Sequence, residues 1–376
     1  NKICWALGSI SECMLEDEEN KFVVTVIKEL LNLVDKKKGK DNKALVAANI
    51  MYVVGQFPRF LCTHWAFLKT VIKKLNEFMG EKHPGVQDMA SEVFLKISKK
   101  TKRMFIIKQN GDEPFVCNLI RNLPENTKDL EVKQSLHIYE GIAHMISEEG
   151  DESNKNILLE QLMQYTQNEW QKVLEIANND PSSLQAIDNI RTIGYVIKVN
   201  ERVAFALGPS YVSHLAKIFQ ELMQVYKLYS ENISVAISNG PGSYNNSILK
   251  ATKTVRREIL NLIATFIKTS ENPTLIIGEF LPILSELITD YNGNVPNARD
   301  PEVLSLFSTM IEKMGDKMSE HIPDILNYLF DSTLSMINND YTTFMDFRKN
   351  FFGLIKNIVN YSLEGLFSSK EESFKV

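Results

Sequence analysis

At 376 residues, the chain exceeds the roughly 250–300 residues over which a single compact core grows. It must therefore split into domains or extend along one dimension as a repeat array. Hydrophobic content of 44% and charged content of 24% are those of a folded protein and exclude disorder over most of the length. With 42 basic against 47 acidic residues the net charge is -5, so no dominant basic field is available for a polyanion and direct nucleic-acid binding is not expected.

The four cysteines, Cys4, Cys13, Cys62 and Cys117, form no CxxC pair, which suggests reduced thiols in a reducing compartment. No signal-peptide pattern opens the chain, and no apolar run reaches the ~18–20 residues of a membrane span. Secretion and membrane insertion are not expected. Asn1 stands inside an apolar helical pattern with no cap before it, so a fragment of a longer protein is expected.

Apolar residues recur at spacings of three and four almost throughout. In chain order, helices are predicted over 1–14, 20–36, 41–56, 64–80, 85–100, 113–122, 129–148 and 153–178. They continue over 182–206, 210–238, 247–269, 273–291, 300–315, 320–338 and 344–365. Gly39, Pro58, Pro84, Gly111, Pro124, Gly150, Pro181, Pro209, Gly240, Pro273 and Pro296 punctuate them. The longest irregular stretches are Thr101–Glu113 and Ser238–Asn246, the latter an exposed loop by composition. No alternating β-branched run appears, so no sheet is assigned. Helices of this length, taken in twos, recur every 40–60 residues and suit an all-α, HEAT-repeat α-solenoid, a superhelix of antiparallel helix pairs running as one array over 1–376.

Residues 20–80 carry the most information. In helix 20–36 one apolar stripe runs Val23, Val26, Leu30, Leu33, and a second, Val24, Ile27, Leu31, Val34, lies ~100° around the helix. Helix 64–80 repeats the doubling with Leu68, Ile72, Leu75, Met79 beside Phe67, Val71, Lys74, Phe78. A solenoid helix touches neighbours on two sides, which alone accounts for wide apolar faces. The other reading is a groove for an amphipathic peptide with leucine-like anchors, rimmed by Lys36, Lys37, Lys38, Lys40, Lys43, Lys73 and Lys74.

Catalysis finds little support. Gly39-Lys-Asp lacks the upstream glycine and following hydroxyl residue of a phosphate loop. His137 and His144 share a helix face without a carboxylate or thiol to complete a metal set. No enzyme, no metal and no cofactor are expected.

Several strings carry a family likeness. They are Asn1-Lys-Ile-Cys-Trp-Ala-Leu-Gly-Ser-Ile-Ser, Gly39-Lys-Asp-Asn-Lys-Ala, Asn49-Ile-Met-Tyr-Val-Val-Gly-Gln-Phe-Pro-Arg-Phe-Leu and Gly85-Val-Gln-Asp-Met-Ala. Ser230-Glu-Asn-Ile-Ser and Asn294-Val-Pro-Asn-Ala-Arg-Asp-Pro-Glu-Val-Leu-Ser follow. In order and over essentially the whole length, the chain resembles the central part of the chromosome-region-maintenance exportins, nuclear export receptors of the importin-β superfamily.

The resemblance implies a receptor that binds leucine-rich export signals of cargo proteins together with Ran-GTP and meets nuclear pore proteins. It would act as a monomer, shuttling between nucleus and cytoplasm. By position, the resemblance implies a signal groove lined by Ile27, Leu31 and Val34, floored by Ala47, Ile50 and Met51, and walled by Phe60, Phe67, Val71, Leu75 and Phe78. Lys40, Lys43 and Lys74 would be polar contacts, with Glu77 nearby. Two departures stand out. Val34 replaces the cysteine alkylated by leptomycin-type inhibitors in many members, and Ala66 replaces a frequent lysine. A HEAT scaffold without a groove remains the alternative.

Overall fold

The computed structural model describes residues 2–36, 38–81, 83–108, 111–240, 246–272, 278 and 285–368, with the backbone alone at Glu12, Val34, Asp35, Pro84 and Ser368. Helices account for the regular structure, and no strand occurs among the described residues. The packing separates two compact units, Asn1–Tyr165 and Thr166–Val376.

The first unit opens with α1 (Lys2–Ser9), α2 (Glu16–Lys36) and α3 (Lys40–Gly55). Next come α4 (Pro58–Thr63), α5 (Trp65–Met79) and α6 (Pro84–Thr101). Short helices α7 (Arg103–Ile106), α8 (Phe115–Arg121) and α9 (Leu123–Thr127) lead to α10 (Val132–Ile146). The unit boundary falls inside α11 (Glu152–Asn179). Helices pack in pairs, α2 on α3 and α5 on α6, while α3, α6 and α10 stack side by side as a second layer. The short α4 packs on both α2 and α5.

Local chemistry explains the sharp joints. Four acidic residues, Glu16 to Glu19, open α2 and complement its macrodipole. Gly39 takes φ 90, a left-handed conformation that glycine reaches without steric cost, and so lets α3 begin within a few residues of α2. At the contact of α6 with α10, a Cβ on Gly141 would stand 2.8 Å from the Phe94 ring and 3.0 Å from the Ser98 hydroxyl. Phe94 and Ser98 are fully buried and have nowhere to move. Gly141→Val should therefore cost roughly 1–3 kcal/mol of stability, read as a lowered midpoint in thermal melts followed by circular dichroism.

The second unit contains α12 (Ile187–Leu207), α13 (Val212–Ser238) and α14 (Ser247–Thr269). After α15 (helical residues 285–293) come α16 (Glu302–Met314), α17 (Ile322–Asn339), α18 (Met345–Tyr361) and α19 (Leu363–Ser368). Here α12, α14, α16 and α18 stack consecutively, with α13 on α14 and α17 on α18. Both units thus have the HEAT-type architecture of stacked helix pairs.

A buried polar network ties α13, α14 and the 294–300 turn together. Arg256 donates to the Ser230 hydroxyl (3.0 Å) and the Ala298 carbonyl (2.7 Å) and stands 3.6 Å from Asp300. Ser230 and Tyr226 donate to Asp290, and Asn294 donates to Ser230.

Several sequence expectations need correction. Helix 1–14 ends at Ser9 and is followed by a 3-10 turn over Ser11–Cys13. Helix 344–365 breaks at Ser362, whose backbone leaves the helical region (φ -151, ψ 45) while its hydroxyl bonds that of Ser319 at 3.0 Å. Helices α4, α7 and α9 were not expected. Pro58 and Pro124 were taken as breakers but sit in first turns, where a missing N–H costs nothing. Most of 273–284 from helix 273–291, and residues 241–245 of the glycine-rich loop, lie outside the described residues.

Candidate peptide-binding groove

The doubled stripe of α5 resolves into two functions. Leu68, Ile72, Leu75 and Met79 are buried and seal the helix against its own unit. Offset by one residue, Phe67, Val71 and Phe78 are half-buried and face a cavity of about 640 Å³, within the ~300–1,000 Å³ range of ligand sites. Leu75 serves both surfaces.

Across the cavity, α2 contributes Ile27, which is buried, and Leu31 one turn later, which is 52% exposed. Between them α3 lays down Ala44, Ala47, Ile50, Met51 and Val54. Their helical spacing gives this floor a nearly continuous apolar surface. Ala47, Met51 and Val54 are buried. Val86 of α6 completes the apolar lining. Thr70 is the one hydroxyl on the wall, and it already donates to the Ala66 carbonyl at 2.9 Å.

A second depression of about 310 Å³ adjoins the first, sharing Ile27, Leu31 and Phe67 and adding Val24, Lys28, Asn32 and Phe60. Phe60 therefore walls this extension and not the main cavity. Its ring is stacked on His64 at 4.2 Å and meets the Phe67 ring edge-on at 5.4 Å. The first α2 stripe behaves differently from the first α5 stripe. Leu30 and Leu33 line a separate hollow of about 230 Å³ with Cys4, Leu45 and Val46.

Charged groups gather at the rim. Lys40 and Lys43 come from the first turn of α3 and Lys74 from α5. The Lys40 ammonium reaches Glu81 at 3.6 Å, and Lys74 is held by Glu77 at 2.6 Å. These pairs are exposed, so each adds little to stability. Glu77 lies outside the lining, drawn to Lys74 instead.

Of the residues implied for the groove, the structure gathers Ile27, Leu31, Lys40, Lys43, Ala47, Ile50, Met51, Phe67, Val71, Lys74, Leu75 and Phe78 around one cavity. The side chain of Val34 lies outside the described residues. Ala44, Val54, Thr70, Glu81, His83 and Val86 were missed. Ala44 and Val54 continue the three-and-four spacing of Ala47 and Met51 and were legible. Glu81 and His83 sit in the α5–α6 turn, beyond any helical period.

Nothing in this lining assembles acid, base and nucleophile. Among the described residues no group of three or more His, Cys, Asp or Glu stands ready for a metal, and no helix is long and apolar enough to cross a membrane. His137 meets the Ser91 hydroxyl at 3.2 Å and His144 lies 3.7 Å from Glu140, both within the packing of the first unit. Burial pushes the Cys62 and Cys117 thiols up, away from the reactive thiolate. It also pushes the Tyr291 phenol up to about 12, where its hydroxyl is shared with Thr333 at 2.8 Å.

No cysteine occurs among the described lining residues, and residue 34 is valine. A Michael acceptor of the leptomycin type should therefore leave no adduct on peptides spanning 20–56 or 64–86. Peptide mass mapping after incubation checks this, and a modified cavity residue would contradict the positional match.

Sequence comparisons agree with this architecture. The family model described as CRM1 C terminal matches residues 214–376, and that described as CRM1 / Exportin repeat 3 matches residues 1–41. Over its whole length the chain is 42% identical to Protein EXPORTIN 1B of Arabidopsis thaliana, 40% to Exportin-1 of Dictyostelium discoideum and 38% to Exportin-1 of Drosophila melanogaster. It spans 35%, 35% and 36% of those relatives, about a third of their length. With its stacked helix pairs and these matches, the chain belongs to the CRM1 exportin family.

Proposed function

We propose that the chain is the cargo-binding part of a nuclear export receptor and not an enzyme. The cavity between α2 and α5 takes the apolar face of a leucine-rich export signal. The single observation that supports this most is a roofless apolar cavity of about 640 Å³ whose walls keep Leu31, Phe67 and Phe78 partly in solvent. An apolar side chain exposed singly is ordinary, whereas several converging on one apolar cavity mark a ligand site.

The mechanism follows from magnitudes. Burying four or five anchor side chains contributes roughly 6–15 kcal/mol. Ordering a disordered peptide costs about 2–5 kcal/mol and lost rigid-body freedom at least about 4 kcal/mol. The remainder is at most about 9 kcal/mol, a dissociation constant no tighter than about a few tenths of a micromolar. Weak intrinsic binding suits a carrier that must release its cargo. Ran-GTP then supplies a coupling energy of about 1–3 kcal/mol by favouring the open groove. Nuclear pore proteins are the remaining partners, and the receptor shuttles as a monomer between nucleus and cytoplasm.

Titrating the chain into a fluorescent leucine-rich peptide, with and without Ran-GTP, tests the proposal. Saturable binding strengthened by Ran-GTP is expected. No binding in either condition would favour a HEAT scaffold.

A further inference from the structure

Two hollows flank α2. Ile27 and Leu31 face the groove, while Leu30 and Leu33 line the separate hollow of about 230 Å³ together with Cys4 of α1 and Leu45 and Val46 of α3. The walls of that second hollow come from α1, α2 and α3 alone, on the α1 side of α2. From Lys28 to Val46 no described side chain is buried, so the outer half of α2 and the first turns of α3 stand between two unfilled spaces. The edge of the unit is apolar here as well. Ile3, Trp5, Leu33 and Leu45 are all exposed. Among the described residues α1 packs on α3 and on the 3-10 turn that follows it, with no first-layer helix of its own, whereas α3 has α2 and α6 has α5. A repeat array ends in a cap with a polar outer face. An apolar edge of this kind is an interface between repeats.

We propose that a preceding repeat of the longer protein seats an apolar helix in the hollow between α1, α2 and α3 and, resting on the groove reading above, that this buttress fixes the α2 wall of the groove. The family model over residues 1–41 is the third of a series of exportin repeats, and the chain spans 35% of its relatives, so further repeats are there to supply the helix. The seat sets the chemistry of its occupant. Its apolar lining takes aliphatic side chains at helical spacing, and its two amides make no polar demand, because Asn42 and Asn49 already donate to the carbonyls of Lys38 and Leu45. With the seat filled, Leu30 and Leu33 hold α2 from behind. Less of the peptide's binding energy is then spent on ordering the wall that carries Leu31.

The test compares the chain with a longer form that carries the preceding repeat. Methyl resonances of Leu33 and Leu45 are read against a soluble paramagnetic probe, and affinity for a fluorescent leucine-rich peptide by anisotropy. In the longer form both leucines should lose most of the broadening they show in the chain, and the peptide should bind about fivefold or more tightly. Leu33→Asp should cancel that gain in the longer form while changing the affinity of the chain itself by less than about twofold. Leu45→Ser, a milder change on α3, should act in the same direction. Leucines that stay broadened in the longer form would overturn the inference. So would protection in the chain that grows with its concentration, which makes a second copy the occupant, and so would protected leucines without a gain in peptide affinity. If neither form binds the peptide, the groove reading fails and the effect on it falls too, while protection of the two leucines still decides whether the seat is filled.

Discussion

Leu31→Asp should abolish binding of a leucine-rich peptide while leaving the melting curve almost unmoved. Leu31 is 52% exposed, so its side chain contributes little to the fold, and surface substitutions of this kind usually change stability by no more than about 0.5 kcal/mol. In the complex the same position is buried. An aspartate there would have to shed its hydration without a partner, a penalty of several kcal/mol on top of about 1.5–3 kcal/mol of lost leucine burial, enough to remove most of a binding energy of at most about 9 kcal/mol. Phe67→Ala should act in the same direction and weaken binding about tenfold or more, because its ring is shared by the main cavity and its extension. Fluorescence anisotropy supplies the affinities and circular dichroism the control. If both variants bind as the unaltered chain does, the peptide lies elsewhere.

Arg256→Ala should produce the largest loss of stability of any single polar substitution in the second unit. The guanidinium is 1% exposed and Asp300 is 4% exposed, and their approach is 3.6 Å. Removing the cation leaves Asp300 buried with Arg257, at 3.8 Å and half-exposed, and the Glu302 amide, at 3.1 Å, to offset it. It also takes the guanidinium from the Ala298 carbonyl and from the Ser230 hydroxyl, although Ser230 keeps Asp290 and Asn294. Breaking one side of a buried pair costs about 3–5 kcal/mol, which in a unit of this size lowers the melting temperature by roughly 6–20 °C. Arg257→Ala serves as the control, since an exposed partner is worth at most about 1 kcal/mol. The double variant Arg256→Ala/Asp300→Ala should lose less than the sum of its parts, because no lone charge remains buried. Thermal melts of these proteins and of Asp300→Ala decide the matter, and a loss for Arg256→Ala no greater than for Arg257→Ala would show that breaking the buried pair carries no desolvation penalty.

These outcomes bear on what a sequence reveals. The all-helical class was legible because period-three-and-four spacing continues through nearly every segment, and α5 shows it twice over with Leu68 and Phe67 opening two parallel stripes. Ile27, Leu31, Phe67, Val71 and Phe78 stand on the second stripes of α2 and α5, and it was the family resemblance that assigned them to a groove. Which stripe seals the fold and which meets solvent did not follow. That depends on α4, whose six residues are too few for a periodic signal yet pack on both α2 and α5. Phe60 was accordingly assigned to the main wall and lies in the extension. Glu81 and His83 went unseen for a related reason: a turn has no period, and its polar groups reach the cavity only because Gln87 bonds Met79 and Asp129 from a distance in sequence. The break at Ser362 was hidden likewise, since a serine inside an apolar pattern reads as a solvent-facing helical residue until its partner Ser319 is known.

Methyl nuclear magnetic resonance of the chain, labelled at isoleucine, leucine and valine and titrated with a leucine-rich peptide, interrogates the groove residue by residue. Shifts at Ile27, Leu31, Ile50, Val71 and Leu75, with Ile190 and Leu260 of the second unit unmoved, are the expected result. Saturable binding that leaves those five methyl groups unperturbed would mean that the apolar cavity between α2 and α5 is not where the signal is held.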